Sequence, residues 1–299
     1  MRVVVALGGN AMLRRGEPMT AANQRANIRR AAVPLAGLVR AGHMLIITHG
    51  NGPQIGMLAK AETGWPLDVL GAETEGMIGF VIEQELENAL DHAHPVATML
   101  TQVLVDPDDP AFRAPTKFVG PMWTHAEAKA MAAPRDWTIA QDGKGWRRVV
   151  PSPMPMGIPD IRALRLLVDN GVIVICGGGG GIPIARAANG TYHGVEAVID
   201  KDHLSALLAK TLAADALLLL TDVDAVYQNF GTPDATAITT MTPTQAAALP
   251  LPAGSMRPKV LACCNFVTAT GGIAAIGKLA DAADILAGRT GTRIVAQAE

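Results

Sequence analysis

No apolar run in this 299-residue chain approaches the roughly 18 residues that a membrane-crossing helix requires. The reading is therefore of a soluble protein with no membrane partner. At the N-terminus, Met1-Arg2 precedes five apolar residues before Gly8-Gly9-Asn10, too short for a secretory segment, so a cytoplasmic location is expected. Cysteine is scarce. Cys176, Cys263 and Cys264 are odd in number and lack C-x-x-C spacing, which argues against a disulfide framework or zinc site and leaves them as small core residues. Charge of one sign is lacking too: the net charge is −2 and no basic run carries interleaved aromatics, so nucleic acid is not expected as a partner. There is no G-x-x-x-x-G-K-[ST], which excludes a P-loop NTPase. Residues 8–13 do not form G-x-G-x-x-G, and the five-glycine run at 177–181 continues into Ile182-Pro183 where a dinucleotide-binding fold would begin its helix. No evident Ser-His-Asp or Cys-His set is present, nor internal repeats or a low-complexity tail.

What remains is a globular composition, 49% hydrophobic and 17% charged, long enough for one large α/β domain or two lobes. Val3–Leu7 is a continuous apolar, β-branched run suited to a buried parallel strand. A helix follows through Ile28, Ala32, Leu35, Leu38 and Val39, stopping at Gly42, and Met44–Thr48 is the second strand. The alternation then continues. Helices are expected at Ile78–Leu90, Ile161–Asp169, Asp202–Ala213, Lys259–Thr270 and Leu279–Leu286. Strands are expected at Val96–Val105, Val172–Cys176, Ala216–Thr221, Ile273–Ile276 and Arg293–Val295. Such an order implies an α/β fold with an open, mainly parallel sheet, helices on both faces, and ligands at the carboxyl ends of the strands. Residues 106–160 break the rhythm, holding nine of the 20 prolines and three of the four tryptophans; this is read as a small excursion with its own structure, or a lid.

Glycine-rich stretches lie where strands end: Leu7-Gly8-Gly9-Asn10, His49-Gly50-Asn51-Gly52-Pro53-Gln54 and Cys176-Gly177 through Gly181. Glycines there let backbone N–H groups converge on an anion, so phosphate or carboxylate chemistry is the first expectation. His49 is either a base or nucleophile or a residue satisfying neighbouring backbone groups. Lysine is selective: only eight of the 25 basic residues are Lys, and Lys117, Lys201 and Lys259 fall inside or beside the unusual stretches. Val198-Ile199-Asp200-Lys201-Asp202 and Leu220-Thr221-Asp222-Val223-Asp224 carry either surface ion pairs or charges placed around a phosphate and a nucleotide. Phosphoryl transfer asks mainly for positioning and charge neutralisation, so no general base is needed if the acceptor is itself an anion.

Taken together, residues 5–11, 48–56, 66–72, 115–121, 145–153, 178–183, 198–202 and 254–259 resemble the carbamate kinases of the amino acid kinase family, in order along nearly the whole chain. The resemblance implies a three-layer αβα sandwich with a small protruding subdomain at about 106–160. An N-terminal lobe, about 1–212, would take carbamate or carbamoyl phosphate, and a C-terminal lobe, about 213–299, the adenine nucleotide. It further implies a Mg²⁺-dependent exchange between ATP plus carbamate and ADP plus carbamoyl phosphate, working towards ATP, in a homodimer. By the same matching, Lys117, Lys201 and Lys259 serve the transferring phosphoryl group and Asp202 organises them. Gly8, Gly9, Asn10, Gly50, Asn51, Gly52, Gly178 and Gly179 would cradle the small anion, and Thr221, Asp222, Val223, Tyr227, Gly254, Met256 and Lys259 would border the nucleotide. No metal-ligating residue is assigned. Relatives such as acetylglutamate kinase carry a lysine on the first strand where this chain has Ala6, and a lysine from the excursion can replace it. Two departures stand out: Met154 where Lys is frequent, and Arg257 where a small or apolar residue is usual.

Overall fold

The computed structural model describes residues 1–14, 16–60, 64–251 and 256–297, with only the backbone of Asn10 and Lys60. The chain begins with β1 (Arg2–Leu7), α1 (Ala21–Arg40), β2 (Met44–His49), α2 (Gly52–Lys60), α3 (Leu67–Ala89), β3 (Val96–Met99) and β4 (Gln102–Val105). The excursion carries β5 (Lys117–Trp123), α4 (His125–Ala132), β6 (Ile139–Asp142) and β7 (Gly145–Val150). There follow β8 (Pro155–Gly157), α5 (Ile161–Asp169), β9 (Ile173–Cys176), β10 (Ile182–Arg186), β11 (Tyr192–Gly194) and α6 (Lys201–Thr211). The last part holds β12 (Ala216–Thr221), β13 (Val226–Gln228), β14 (Thr236–Ile238), β15 (Thr240–Met241), α7 (Pro243–Ala247), α8 (Met256–Thr270), β16 (Ile273–Lys278), α9 (Ala282–Leu286) and β17 (Thr292–Ile294).

Eight strands form the main sheet in the order β15-β17-β16-β12-β1-β2-β9-β3. From β16 to β3 every pairing is parallel, and only β17 runs antiparallel to its neighbour β16. Strand residues alternate between two cores, as a period of two demands. Val3, Val5 and Leu7 pack with Leu35 and Leu38 of α1 and Ile78 and Ile82 of α3, whereas Val4 and Ala6 pack with Leu204 and Leu208 of α6 and Phe266 of α8. This is the expected three-layer sandwich. The free thiols Cys176, Cys263 and Cys264 are buried in the second of these cores. Among the described residues, no helix is long and apolar enough to cross a membrane.

Three expectations shift. The run 96–105 is two strands: β3 ends the main sheet, the chain turns at Leu100-Thr101, and β4 joins a second sheet, β11-β10-β4-β8. The helix expected from Ile78 begins at Leu67, because buried Thr74 and Glu75 interrupt its apolar period. The segment 279–286 is a 3-10 turn, Leu279–Asp281, followed by α9. Within the excursion, β5-β7-β6 make a separate antiparallel sheet, while β8 returns to pair with β4. A small core of Ile55, Leu67, Leu70, Val119, Val150 and Val198 seats this subdomain on the body.

Candidate active site

The carboxyl ends of the parallel strands β1, β2, β9 and β12 point the same way, so the glycine stretches after β1, β2 and β9 and the Thr221-Asp222 end of β12 meet at one edge of the sheet. Gly8 N donates to Leu220 O at 2.8 Å and Gly50 N to Leu7 O at 3.1 Å, which carries the strand register on into the loops. A cleft of about 410 Å³ opens there, lined by Gly8, Gly9, Gly50, Asn51, Gly52 and Gly179 on one side. Lys117, Asp200, Lys201, Asp202 and Lys259 line the other. Thr221, Asp222 and Lys259 also border a second cavity of about 530 Å³, whose remaining wall includes Val223, Tyr227, Phe230, Leu249 and Met256.

The charges are organised around α6. Asp200 caps the helix, accepting from Asp202 N at 2.9 Å, so that Asp200, Lys201 and Asp202 fan out from its first turn. Lys201 Nζ donates to Asp202 Oδ1, and Lys259 Nζ, from the first turn of α8, donates to Asp202 Oδ2 at 2.8 Å. Lys117 Nζ, from the start of β5 in the excursion, donates to Asp200 Oδ2 at 2.6 Å. Burial would raise the Asp202 carboxyl, but the two ammonium groups outweigh it and hold it well below the usual carboxylate range. Asp200 behaves likewise: burial pulls it up, Lys117 pulls it down, and the net shift is downward. The two lysines on Asp202 differ. Burial, with Lys259 nearby, lowers Lys201 despite the carboxylate, whereas for Lys259 the carboxylate overcomes burial and the net shift is upward. A second ion pair, Arg148 to Glu196 at 3.3 Å, ties β7 to the same segment that leads into α6.

His49 is fully buried, and burial pulls its imidazole down to about 4. Its Nδ1 donates to Gly50 O at 3.0 Å, so it serves the backbone and does not line the cleft. Gly178 also lies behind the cleft, where an added Cβ would run into His49. Asn10 sits in the 3-10 turn Gly9–Ala11 after β1. Gly254 lies outside the described residues. The other expected residues are together: the small-anion set with the three lysines in the first cleft, and Val223, Tyr227 and Met256 with Thr221, Asp222 and Lys259 around the second. Asp200 is a functional residue that sequence reasoning misses, although the segment around it stands out; its role as the Lys117 partner depends on a contact 83 residues away. Of the two departures, Arg257 is exposed and lines neither cavity, and Met154 is exposed with its N–H on Asp109 Oδ2 at 3.0 Å.

A glycine-lined cleft carrying three lysines and three aspartates, joined to an aromatic and aliphatic annex at the carboxyl edge of a doubly wound sheet, defines an α/β protein with adjoining spaces for a small anion and a larger ligand. The chain belongs to the amino acid kinase family, whose model matches residues 1–276. It is 53% identical to the carbamate kinase of Rhizobium meliloti (strain 1021), over 98% of this chain and 93% of that protein. It is 51% identical to the carbamate kinase of Haemophilus influenzae, over 100% of this chain and 98% of that one. Among solved structures, a carbamate kinase from Giardia lamblia bound to AMP-PNP superposes with a TM-score of 0.90 at 42% identity, covering 98% of each chain.

Gly179 has φ +67 and lies against Asn51, so a Cβ there is both strained and in collision. Gly179→Ala is expected to displace Asn51 and weaken binding of inorganic phosphate by ~10-fold or more, scored by calorimetric titration. Unchanged affinity would show that the five-glycine run does not shape the cleft.

Proposed function

We propose that this chain is a carbamate kinase, interconverting ATP plus carbamate with ADP plus carbamoyl phosphate. The observation that carries this reading is the convergence of Lys117, Lys201 and Lys259 on one glycine-lined cleft, two of them on Asp202 and one on Asp200. Full-length similarity to carbamate kinases supports it. In the direction of ATP synthesis, a β-phosphate oxygen of ADP attacks the phosphorus of carbamoyl phosphate. The P–O bond to the carbamoyl group breaks, and carbamate leaves as an anion. No proton has to move, which suits a cleft whose polar side chains are three lysines, three aspartates, Asn51 and Thr221, with no histidine among them.

The roles divide by place. Backbone N–H groups of Gly9, Gly52 and Gly179, with the turn at Asn10, receive the small anion; Gly8 and Gly50, whose N–H groups are held by Leu220 and Leu7, leave room for it, and Asn51 borders it. Lys201 and Lys259, fixed by Asp202, neutralise charge on the transferring phosphoryl group, and Lys117 reaches it from the excursion. The annex of Val223, Tyr227, Phe230, Leu249 and Met256 takes the base and ribose, so the N-terminal part of the chain holds the small anion and the C-terminal part the nucleotide. Mg²⁺ supplies charge neutralisation between nucleotide phosphates in transfers of this class. Asp200 and Asp202 are engaged by lysines, and among the described residues no three His, Cys, Asp or Glu side chains gather into a metal site. The ion would be carried on the nucleotide phosphates, and Asp222, at the junction of the two cavities, would be the carboxylate bordering it.

The surface supports a homodimer. β3 is the edge of the main sheet, and beside it Phe80 (56% exposed), Met77 (36%) and Leu100 (49%) present apolar side chains to solvent. An open strand edge flanked by such residues calls for a partner surface. Light scattering is expected to give twice the chain mass, falling to one chain for Phe80→Glu; a monomeric wild type would contradict the assignment.

The function is tested on purified protein by ATP formation from ADP and carbamoyl phosphate, with acetyl phosphate and an N-acylglutamyl phosphate as competing donors. Carbamoyl phosphate is expected to be the efficient donor. Lys117→Ala should lower turnover by ~10²-fold, about 2.7 kcal/mol of transition-state stabilisation. Efficient use of another donor would assign the chain to a sibling activity, and absence of ATP with every donor would remove the catalytic reading.

A further inference from the structure

Two consecutive residues of α3 hold the floor of the small-anion cleft from behind without lining it. Thr74 and Glu75 are 0% and 1% exposed. Asn51 Nδ2 donates to Thr74 Oγ1 at 2.9 Å, and the same hydroxyl donates to Gly71 O within the helix at 2.9 Å, which fixes its orientation. Glu75 Oε1 accepts from Gly178 N at 2.9 Å, and Oε2 accepts from Thr101 N at 3.2 Å. Thr101 Oγ1 in turn accepts from Gly177 N at 3.0 Å. One turn of α3 thus fastens both glycine loops, one through the Asn51 side chain and the other through the backbone of the run beyond β9.

The space between those loops is set tightly. Added Cβ atoms at Gly178 and Gly179 would collide with His49 and Asn51, so a small change in either loop is passed to the other. A carboxyl group is a costly filling for this position. Burial pushes Glu75 up to about 8 against the pull of its backbone N–H partners, and an apolar side chain would occupy the site at less expense to folding. What the carboxyl gives in return is satisfaction of amide groups at the turn from β9 into the cleft, where the strand ladder has ended.

We propose that Thr74 and Glu75 are positioning residues for the small anion: by setting the spacing of the Gly50–Gly52 and Gly177–Gly181 loops, they fix the affinity for carbamoyl phosphate while leaving the nucleotide cavity untouched. The substrate named here rests on the functional reading above. Neither residue borders the second cavity, so the two substrates should respond differently.

Three variants separate positioning from packing. Thr74→Val keeps the side-chain volume and removes the hydroxyl; Thr74→Ser keeps the hydroxyl and removes a methyl group; Glu75→Gln keeps the size and sets an amide NH₂ against a backbone N–H. Thr74→Val and Glu75→Gln are each expected to raise KM for carbamoyl phosphate by ~10-fold or more while KM for ADP stays within about twofold, and Thr74→Ser should stay near wild type. A packing role gives the opposite ranking, with Thr74→Ser impaired and Thr74→Val intact, and would overturn the proposal. So would unchanged KM values in Thr74→Val and Glu75→Gln, or equal rises for both substrates. Calorimetric titration with inorganic phosphate scores the same four proteins without turnover, with weaker binding expected for Val and Gln alone. If wild type binds phosphate with this ranking yet makes no ATP from carbamoyl phosphate, the functional reading fails and the positioning role stands.

Discussion

Asp202 sits between two ammonium groups in a place where water is largely excluded, its side chain 5% exposed and those of Lys201 and Lys259 at 12% and 18%. Taking such charges out of water costs several kcal/mol per ion, and one carboxylate shared by two cations recovers only part of that. With Asp200 holding Lys117, and Asp222 at the junction with the second cavity, three ammonium groups and three carboxylates line the cleft. Burial, with Lys259 nearby, lowers Lys201 even beside this carboxylate, which expresses the same cost.

The arrangement explains why the site is assembled from distant pieces of chain. Asp200, Lys201 and Asp202 are consecutive at the start of α6, but Lys259 comes from α8 and Lys117 from β5 in the excursion. Each lysine is recruited by a carboxylate on that one helical turn. Lys117–Asp200 and Arg148–Glu196 both tie the three-stranded sheet to residues 196–200, so the excursion and the charged turn are mechanically one unit. On the far side, Thr74 and Glu75 hold the glycine loops. The cleft is therefore flanked by α6, whose first turn lines it, and backed by α3, which holds the glycine loops from behind.

Much of this architecture is legible in the amino-acid sequence, and the parts that are not share a cause. β1, α5 and β12 appear where the apolar runs put them, because buried parallel strands and an amphipathic helix write their period directly into sequence. The lysines are legible by scarcity and by their motifs. The first half of α3 is hidden because Thr74 and Glu75 are buried for the loops' sake, and a polar residue in a core position erases the pattern that reveals a helix. The break between β3 and β4 is hidden because it depends on Thr101, whose backbone bonds to Glu75 and to Ile182 on elements distant in sequence. Asp200 is visible within its segment, but only the contact with Lys117 gives it a role.

The most direct test of the account is turnover of Asp202→Asn, measured by ATP formation on protein whose circular dichroism matches wild type. The substitution keeps shape and removes the one charge that holds two lysines. The expected result is a fall in kcat of ~10²-fold or more, about 2.7 kcal/mol, with both lysines still present but no longer fixed. A kcat within a few-fold of wild type would contradict the claim that Asp202 organises the phosphoryl-transfer site.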